Sequence, residues 1–122
     1  MTYLMVFIGG GIGSLCRYGL DRWLNPGLES GQMPWGTLAA NVLACLVLGV
    51  GFALLLENKL TEEWRLLALT GFCGGFSTFS TFSLELMEIG SGTDRLGLSL
   101  LYLFLSLAGG ILAIWVGRSV IA

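Results

Sequence analysis

Residues Gly71 to Glu85 read Gly-Phe-Cys-Gly-Gly-Phe-Ser-Thr-Phe-Ser-Thr-Phe-Ser-Leu-Glu. They lie in an apolar run, Trp64–Met87, long enough to cross a bilayer, which takes roughly 20 residues. Inside that run, five hydroxyl residues fall within seven positions (Ser77, Thr78, Ser80, Thr81, Ser83) and glycines pair at Gly74-Gly75. Each glycine weakens a helix by about 1 kcal/mol relative to alanine. A break at that depth frees backbone N–H and C=O groups that lipid cannot satisfy. They must be buried in protein or line a cavity. The stretch therefore predicts a membrane helix broken near Gly74–Ser77, with freed carbonyls suited to Na⁺ or another hard cation.

The rest of the chain supports a membrane setting. Of 122 residues, 55% are hydrophobic and only 11% charged, where a soluble domain is nearer a quarter charged. Four segments have spanning length: Thr2–Leu24, Trp35–Leu56, Trp64–Met87 and Leu96–Ile121. They are separated by NPGLESGQMP, ENKLTEE and EIGSGTDR. Trp23, Trp35, Trp64 and Trp115 sit near the proposed helix ends, where interfacial aromatics anchor. The linkers are too short for a soluble domain, so residues 1–122 are expected to form a single four-helix transmembrane domain of an all-α membrane protein. The first segment lacks the positive n-region of a signal peptide and reads as a retained helix.

Composition also excludes function classes. Net charge is −2 with no basic cluster, which leaves nucleic-acid binding without an electrostatic footprint. There is no histidine, which removes the commonest general base and metal ligand. The odd cysteine count (Cys16, Cys45, Cys73), all in apolar runs, reads as small buried hydrophobes. GGGIGS (Gly9–Ser14) is not a phosphate loop, because no strand precedes it and no Lys-Ser/Thr follows.

Four spans place both termini on one side. That side holds Lys59, Arg65 and Arg118, and the other holds Arg17, Arg22 and Arg95. Lys/Arg bias sets orientation, so three against three predicts no strong preference. Insertion both ways up would permit an antiparallel homodimer, resembling the inverted repeats of transporters but built from two chains.

Each span carries a stripe of small or polar residues. They are Gly10, Gly13, Ser14 and Arg17 in the first, with Gly9 and Gly13 as GxxxG. The second has Thr37, Asn41, Ala44 and Cys45, and the fourth Ser99, Tyr102, Ser106, Gly109, Gly110 and Ala113. Small residues let membrane helices approach closely. Arg17 and Asn41 need more than packing, because a charge within a span costs about 2.5–3.5 kcal/mol. Arg17 can snorkel or pair with Asp21 at i+4, and serves as a structural anchor or a positive vestibule. Asn41 needs a polar pathway or an interhelical bond.

In the third span Phe76, Phe79 and Phe82 recur every third residue, as do the serines and threonines. Each series drifts about 60° per step around an α-helix, so aromatic and hydroxyl series are expected to wind side by side. Ring edges are electropositive and hydroxyls donate, a chemistry that suits a small anion better than a cation.

Three motifs make the resemblance specific: GGGIGSLCRY (Gly9–Tyr18), GTLAANVLA (Gly36–Ala44) and GFCGGFSTFSTF (Gly71–Phe82). With the four-span layout they cover essentially the whole chain, which resembles the Fluc (CrcB) family of fluoride channels. The resemblance implies a dual-topology antiparallel homodimer in a bacterial inner membrane. It implies two fluoride pores that export fluoride passively, and a structural Na⁺ at the dimer interface. By match to the motif, the backbone carbonyls of Gly74 and Ser77 would hold the Na⁺; the family commonly has Thr at the Ser77 position. Phe79 and Phe82 match the paired pore phenylalanines and Asn41 the pore asparagine. Ser80, Thr81 and Ser83 would join the polar track, with Tyr102 and Ser106 from the fourth span, and Arg17 matches a first-span arginine of a vestibule. Phe76 stands where the family usually has an aliphatic residue and receives no pore role.

Two other membrane readings compete. A dual-topology exporter of cationic drugs needs a deep acid, and Glu85 is the only candidate. An assembly subunit explains the glycines but not the hydroxyl-rich broken helix. An enzyme lacks any nucleophile–base constellation.

Overall fold

The computed structural model describes residues 1–27, 32–92 and 95–121, and within them the chain is all-helical. Helix α1 is Thr2–Leu24 and α2 is Trp35–Leu56. The third span is composite. Helix α3 (Glu62–Trp64) runs into a π-helical stretch (Arg65–Cys73) and then α4 (Gly74–Phe76). After an interruption at Ser77 and Thr78, α5 (Phe79–Gly90) completes it, and α6 (Leu96–Ile121) follows. Helices α1, α2 and α6 are each long and apolar enough to cross a membrane, with the bounds the sequence predicts.

The interruption is not at the glycines. Gly74 is helical, with φ −63° and ψ −36°. The chain turns extended at Ser77 (φ −85°, ψ 157°) and Thr78 (φ −151°, ψ 125°). Of the pair, Gly75 serves close packing instead, while a Cβ on Gly74 would meet open space. A Cβ on Gly75 would overlap the carbonyl of Gly10 in α1. One on Gly9 would overlap the carbonyl of Leu67, and one on Gly13 that of Phe72. The backbones of α1 and the third span therefore nearly touch, as small residues allow in membranes. The stretch pressed against α1 is the π-helical one. Such i→i+5 winding is rare over this length and tends to mark functional regions.

Helices α2 and α6 form the second tight seam. Gly49 lies against the Ile114 carbonyl and Gly117 against that of Leu46, with Ala53 and Ala113 buried nearby in the two helices. Two apolar clusters bracket the interruption. Ala40, Ala44 and Phe76 pack before it with Leu20 and Phe72. Phe82, Ile89 and Tyr102 pack after it with Leu38, Leu86 and Leu103. The short polar segment is thus held at both ends by buried side chains.

The third span begins with a capped turn. Thr61 Oγ1 accepts from Trp64 N–H at 3.4 Å, and Arg65 Nε donates to Glu62 at 2.9 Å. That hydrogen bond holds the exposed Glu62 carboxyl below its ordinary range.

The glycine seam gives a direct expectation. Gly13→Leu forces α1 off the third span, and overpacking of this kind costs about 1–3 kcal/mol. The thermal midpoint of the purified protein in detergent falls accordingly. Gly19→Ala meets open space and does not lower it. Equal midpoints for the two variants would show that the α1 seam is not close-packed.

Candidate functional site

The interruption is held by one side chain. Asn41 Oδ1 accepts from Thr78 N–H at 2.8 Å, and Asn41 Nδ2 donates to Thr78 C=O at 3.2 Å. The carboxamide takes the place of the helical partners that Thr78 has lost, which buried backbone requires. Thr78 then starts the next helix. Its Oγ1 accepts from Thr81 N–H at 3.3 Å, an N-cap bond. Two carbonyls lose their usual donors as a result. Thr78 N–H goes to Asn41 rather than Gly74 C=O, and Thr81 N–H to Thr78 Oγ1 rather than Ser77 C=O.

Beside this joint lies a cleft of about 240 Å³. It is lined by Asn41, Cys45, Ser77, Thr78, Phe79, Phe82, Ser106 and Leu107. Four of the residues singled out from sequence as pore-lining therefore come together: Asn41, Phe79, Phe82 and Ser106. The rings of Phe79 and Phe82 are 6.2 Å apart and tilted by 52°. Ser106 Oγ is fully buried and has no hydrogen-bond partner among the described residues. Asn41 uses one Nδ2 hydrogen on Thr78 and retains a second. The cleft thus combines polar side chains with two aromatic rings, and among the described residues no carboxylate lines it.

The remaining candidates lie elsewhere. Thr81 and Arg17 line a smaller polar cleft of about 160 Å³, with Ser14, Tyr18, Asp21 and Thr37. Ser80 and Ser83 are exposed on the single chain, and Ser80 Oγ lies 3.4 Å from Thr78 Oγ1. The hydroxyls do not form one continuous track: Ser77 and Thr78 are extended, and on α5 Thr81 lies on a different face from Ser80 and Ser83.

Tyr102 is fully buried. Its ring meets that of Phe82 edge-on, at 5.1 Å and 69°. Its hydroxyl donates to Glu85 Oε1 at 3.2 Å, and Thr37 Oγ1 donates to Glu85 Oε2 at 3.2 Å. Glu85 is thereby tied between α2 and α6.

Pairing with Asp21, one of the two ways open to Arg17, is not seen among the described residues. Arg17 Nε donates instead to Gly75 C=O at 3.1 Å, across the α1 seam. The close approach of the backbones brings that carbonyl within reach, and Asp21 Oδ1 lies buried over Gly36 with no partner among the described residues. Arg17 is thus an anchor that also lines the smaller polar cleft.

Sequence reasoning missed the part played by Thr78, although it sits in the triplet, and the position of Cys45. The spacing of Cys45, four residues after Asn41, was the available signal.

Comparison with known proteins agrees with this architecture. The family described as "CrcB-like protein, Camphor Resistance (CrcB)" matches residues 4–118. The chain belongs to the CrcB family. A relative from Acidobacterium capsulatum, named fluoride-specific ion channel FluC, is 40% identical over 121 residues, covering 98% of this chain and 95% of the relative. Relatives of the same name from Thermus thermophilus and Escherichia coli are each 43% identical. The first alignment covers 94% of this chain and 89% of the relative, the second 92% and 90%. These CrcB relatives are named as ion channels, not enzymes. With three apolar helices of spanning length, the chain is an integral membrane protein.

The Asn41–Thr78 clamp carries its own test. Asn41→Leu leaves a buried N–H and C=O unpaired, at about 1–3 kcal/mol for each group. Asn41→Ala leaves the same two groups unpaired without adding bulk. Thermal midpoints of both variants in detergent are expected to fall below wild type. An Asn41→Leu protein as stable as wild type would remove the clamp from the account of the break.

Proposed function

We propose that this protein is a fluoride channel. It conducts fluoride passively through the cleft of Asn41, Phe79, Phe82 and Ser106, as two antiparallel copies in a bacterial inner membrane. The observation that carries this reading is the cleft that gathers Ser106, whose buried hydroxyl has no partner among the described residues, with Asn41, Phe79 and Phe82. A buried hydroxyl left unpaired costs about 1–3 kcal/mol. A small, strongly accepting anion satisfies Ser106, Asn41 and the ring edges together. The naming of the relatives as fluoride-specific channels supports fluoride as that anion.

Passive flux suffices for export. One charge crossing 100 mV is worth about 2.3 kcal/mol, roughly a fifty-fold gradient. A negative interior expels fluoride with no coupled energy source. Ser80, Thr81 and Ser83, with Tyr102 behind Phe82, belong to the polar surroundings of the path, and Arg17 supplies positive charge at its vestibule.

The dimer reading rests on what the single chain leaves open. Thr70, Gly74, Phe79, Ser80 and Ser83 are exposed along the third span, with Phe79 at 79%. The Ser83 hydroxyl makes no hydrogen bond among the described residues. Hydroxyls, an exposed glycine and a pore phenylalanine are a poor lipid face. A second copy covers them, and the balanced Lys/Arg count allows it to insert the opposite way up.

The same face fits a Na⁺. The carbonyls of Gly74 and Ser77 lack their helical donors, and a Cβ at Gly74 would meet open space. These two carbonyls from each copy would hold the ion, which supplies positive charge to join the copies.

Purified protein in liposomes is expected to release fluoride and not chloride. Equal release of both, or of neither, would sink the channel reading. Phe82→Ile removes a ring edge, and its fluoride efflux is expected to fall by at least about tenfold while the protein still elutes as a dimer. Orientation is tested separately. A protease-cleavable tag on one terminus should be protected in about half the molecules in cells; uniform cleavage or uniform protection would rule out dual topology.

A further inference from the structure

The two cysteines nearest the cleft are not equivalent. Cys73 is buried, and its thiol donates to the Ala44 carbonyl at 3.7 Å. Its hydrogen-bonding capacity is used within the packed core. Cys45 is half-buried and lines the cleft. Among the described residues its Sγ makes no hydrogen bond. It stands four residues after Asn41 on α2, so the two share one face of that helix. Across the cleft is Ser106 of α6, whose hydroxyl is buried and unpartnered. Cys45 also packs toward α6 where that helix has no side chain, since a Cβ on Gly110 would lie 3.3 Å from Cys45 Sγ. Gly110 itself offers no side chain, so the Cys45 thiol lies against α6 one turn beyond Ser106.

We infer that Cys45 is a lining residue of the conduction cleft, its S–H a weak donor to the anion beyond Asn41 and Ser106. This rests on the reading of that cleft as the fluoride path. The chemistry is that of a soft, weakly donating thiol. It adds polarity without fixed charge, so it eases passage of an anion without trapping it. Beyond Cys45 the α2–α6 seam closes on Gly49 and Gly117 against opposing carbonyls. The path therefore leaves the seam near Cys45 and does not continue along it.

The test is chemical modification of the folded channel, which avoids any question of whether a variant folds. Wild-type protein in liposomes is treated with methyl methanethiosulfonate, which converts an accessible thiol to its methyl disulfide. Fluoride efflux is measured before and after, and modified cysteines are located by mass spectrometry. Cys45 is expected to be modified and efflux to fall by at least about tenfold. The loss should reverse on reduction with dithiothreitol. Cys16→Ala and Cys73→Ala channels should lose flux to the reagent in the same proportion, whereas whatever flux Cys45→Ala retains should be insensitive to it.

Three results would overturn the assignment. Cys45 could be fully modified with efflux unchanged. Cys45 could remain unmodified while the exposed Cys16 reacts. The reagent could block Cys45→Ala as strongly as wild type. Efflux from untreated wild-type liposomes tests the channel reading by itself, so its failure is distinguishable from failure of the Cys45 assignment.

Discussion

Asn41 gives Thr78 the two hydrogen bonds that an unbroken helix would have given it, and the rest of the site depends on that exchange. Lipid cannot solvate a loose peptide group, so a helix can open within a membrane only where something else completes its backbone bonds. One carboxamide, with an acceptor and a donor side by side, does this for a single residue. Thr78 then caps α5 with its own hydroxyl. The opening is therefore two residues long rather than an open-ended loop. The apolar clusters around Phe76 and Phe82 keep it in place from both ends.

The clamp has consequences for the neighbouring groups. With Thr78 N–H and Thr81 N–H engaged by side chains, the carbonyls of Gly74 and Ser77 are without their helical donors. With one Asn41 hydrogen committed to Thr78, a second is left over. The same few bonds thus leave two kinds of group open: carbonyl oxygens, which the proposed reading gives to a cation, and the amide hydrogen with the Ser106 hydroxyl, which it gives to an anion. Glu85 would conflict with the second if its carboxylate faced the cleft. It does not line that cleft, and its two oxygens accept from Tyr102 and Thr37. The acid is held inside the chain, one layer behind Phe82.

How much of this was legible depended on whether the information was local. The bounds of α1, α2 and α6 follow from apolar length and the charged or turn-rich linkers, and the structure reproduces them. A broken third span was legible from the concentration of glycine and hydroxyl residues. The place of the break was legible to within a few residues, near Gly74–Ser77, and the chain opens at the far end of that window, at Ser77 and Thr78. Propensity pointed to Gly74-Gly75, but propensity measures the cost of helix, not where a tertiary partner waits to receive the freed groups. Asn41, thirty-seven residues away, decides that. The glycines stay helical because α1 needs the space beside Gly75. The π-helical winding of Arg65–Cys73 carries no sequence mark for the same reason, since it accompanies close packing on Gly9 and Gly13. Asn41, Phe79, Phe82 and Ser106 were all named from sequence and do share a cleft. The threefold hydroxyl pattern misled in one respect. Ser80 and Thr81 are adjacent on α5, about 100° apart around its axis, so Thr81 lines the cleft of Arg17 while Ser80 and Ser83 stay exposed.

The exposed face explains why such a site would not work in one copy. Phe79 contributes a ring to the cleft, yet most of its surface is uncovered. The cleft therefore has an unfinished wall in the single chain. Gly74 is exposed too, and in the proposed reading its carbonyl and that of Ser77 take a cation shared with the second copy. A surface with these features costs free energy against lipid and gains it against a second copy. In the proposed pair, the act that removes the polar face from lipid also closes the wall beside Phe79 and brings the carbonyls together. Assembly and conduction then share one cause. A copy that failed to pair would lack a finished path, so an unpaired chain would not leak ions across the membrane.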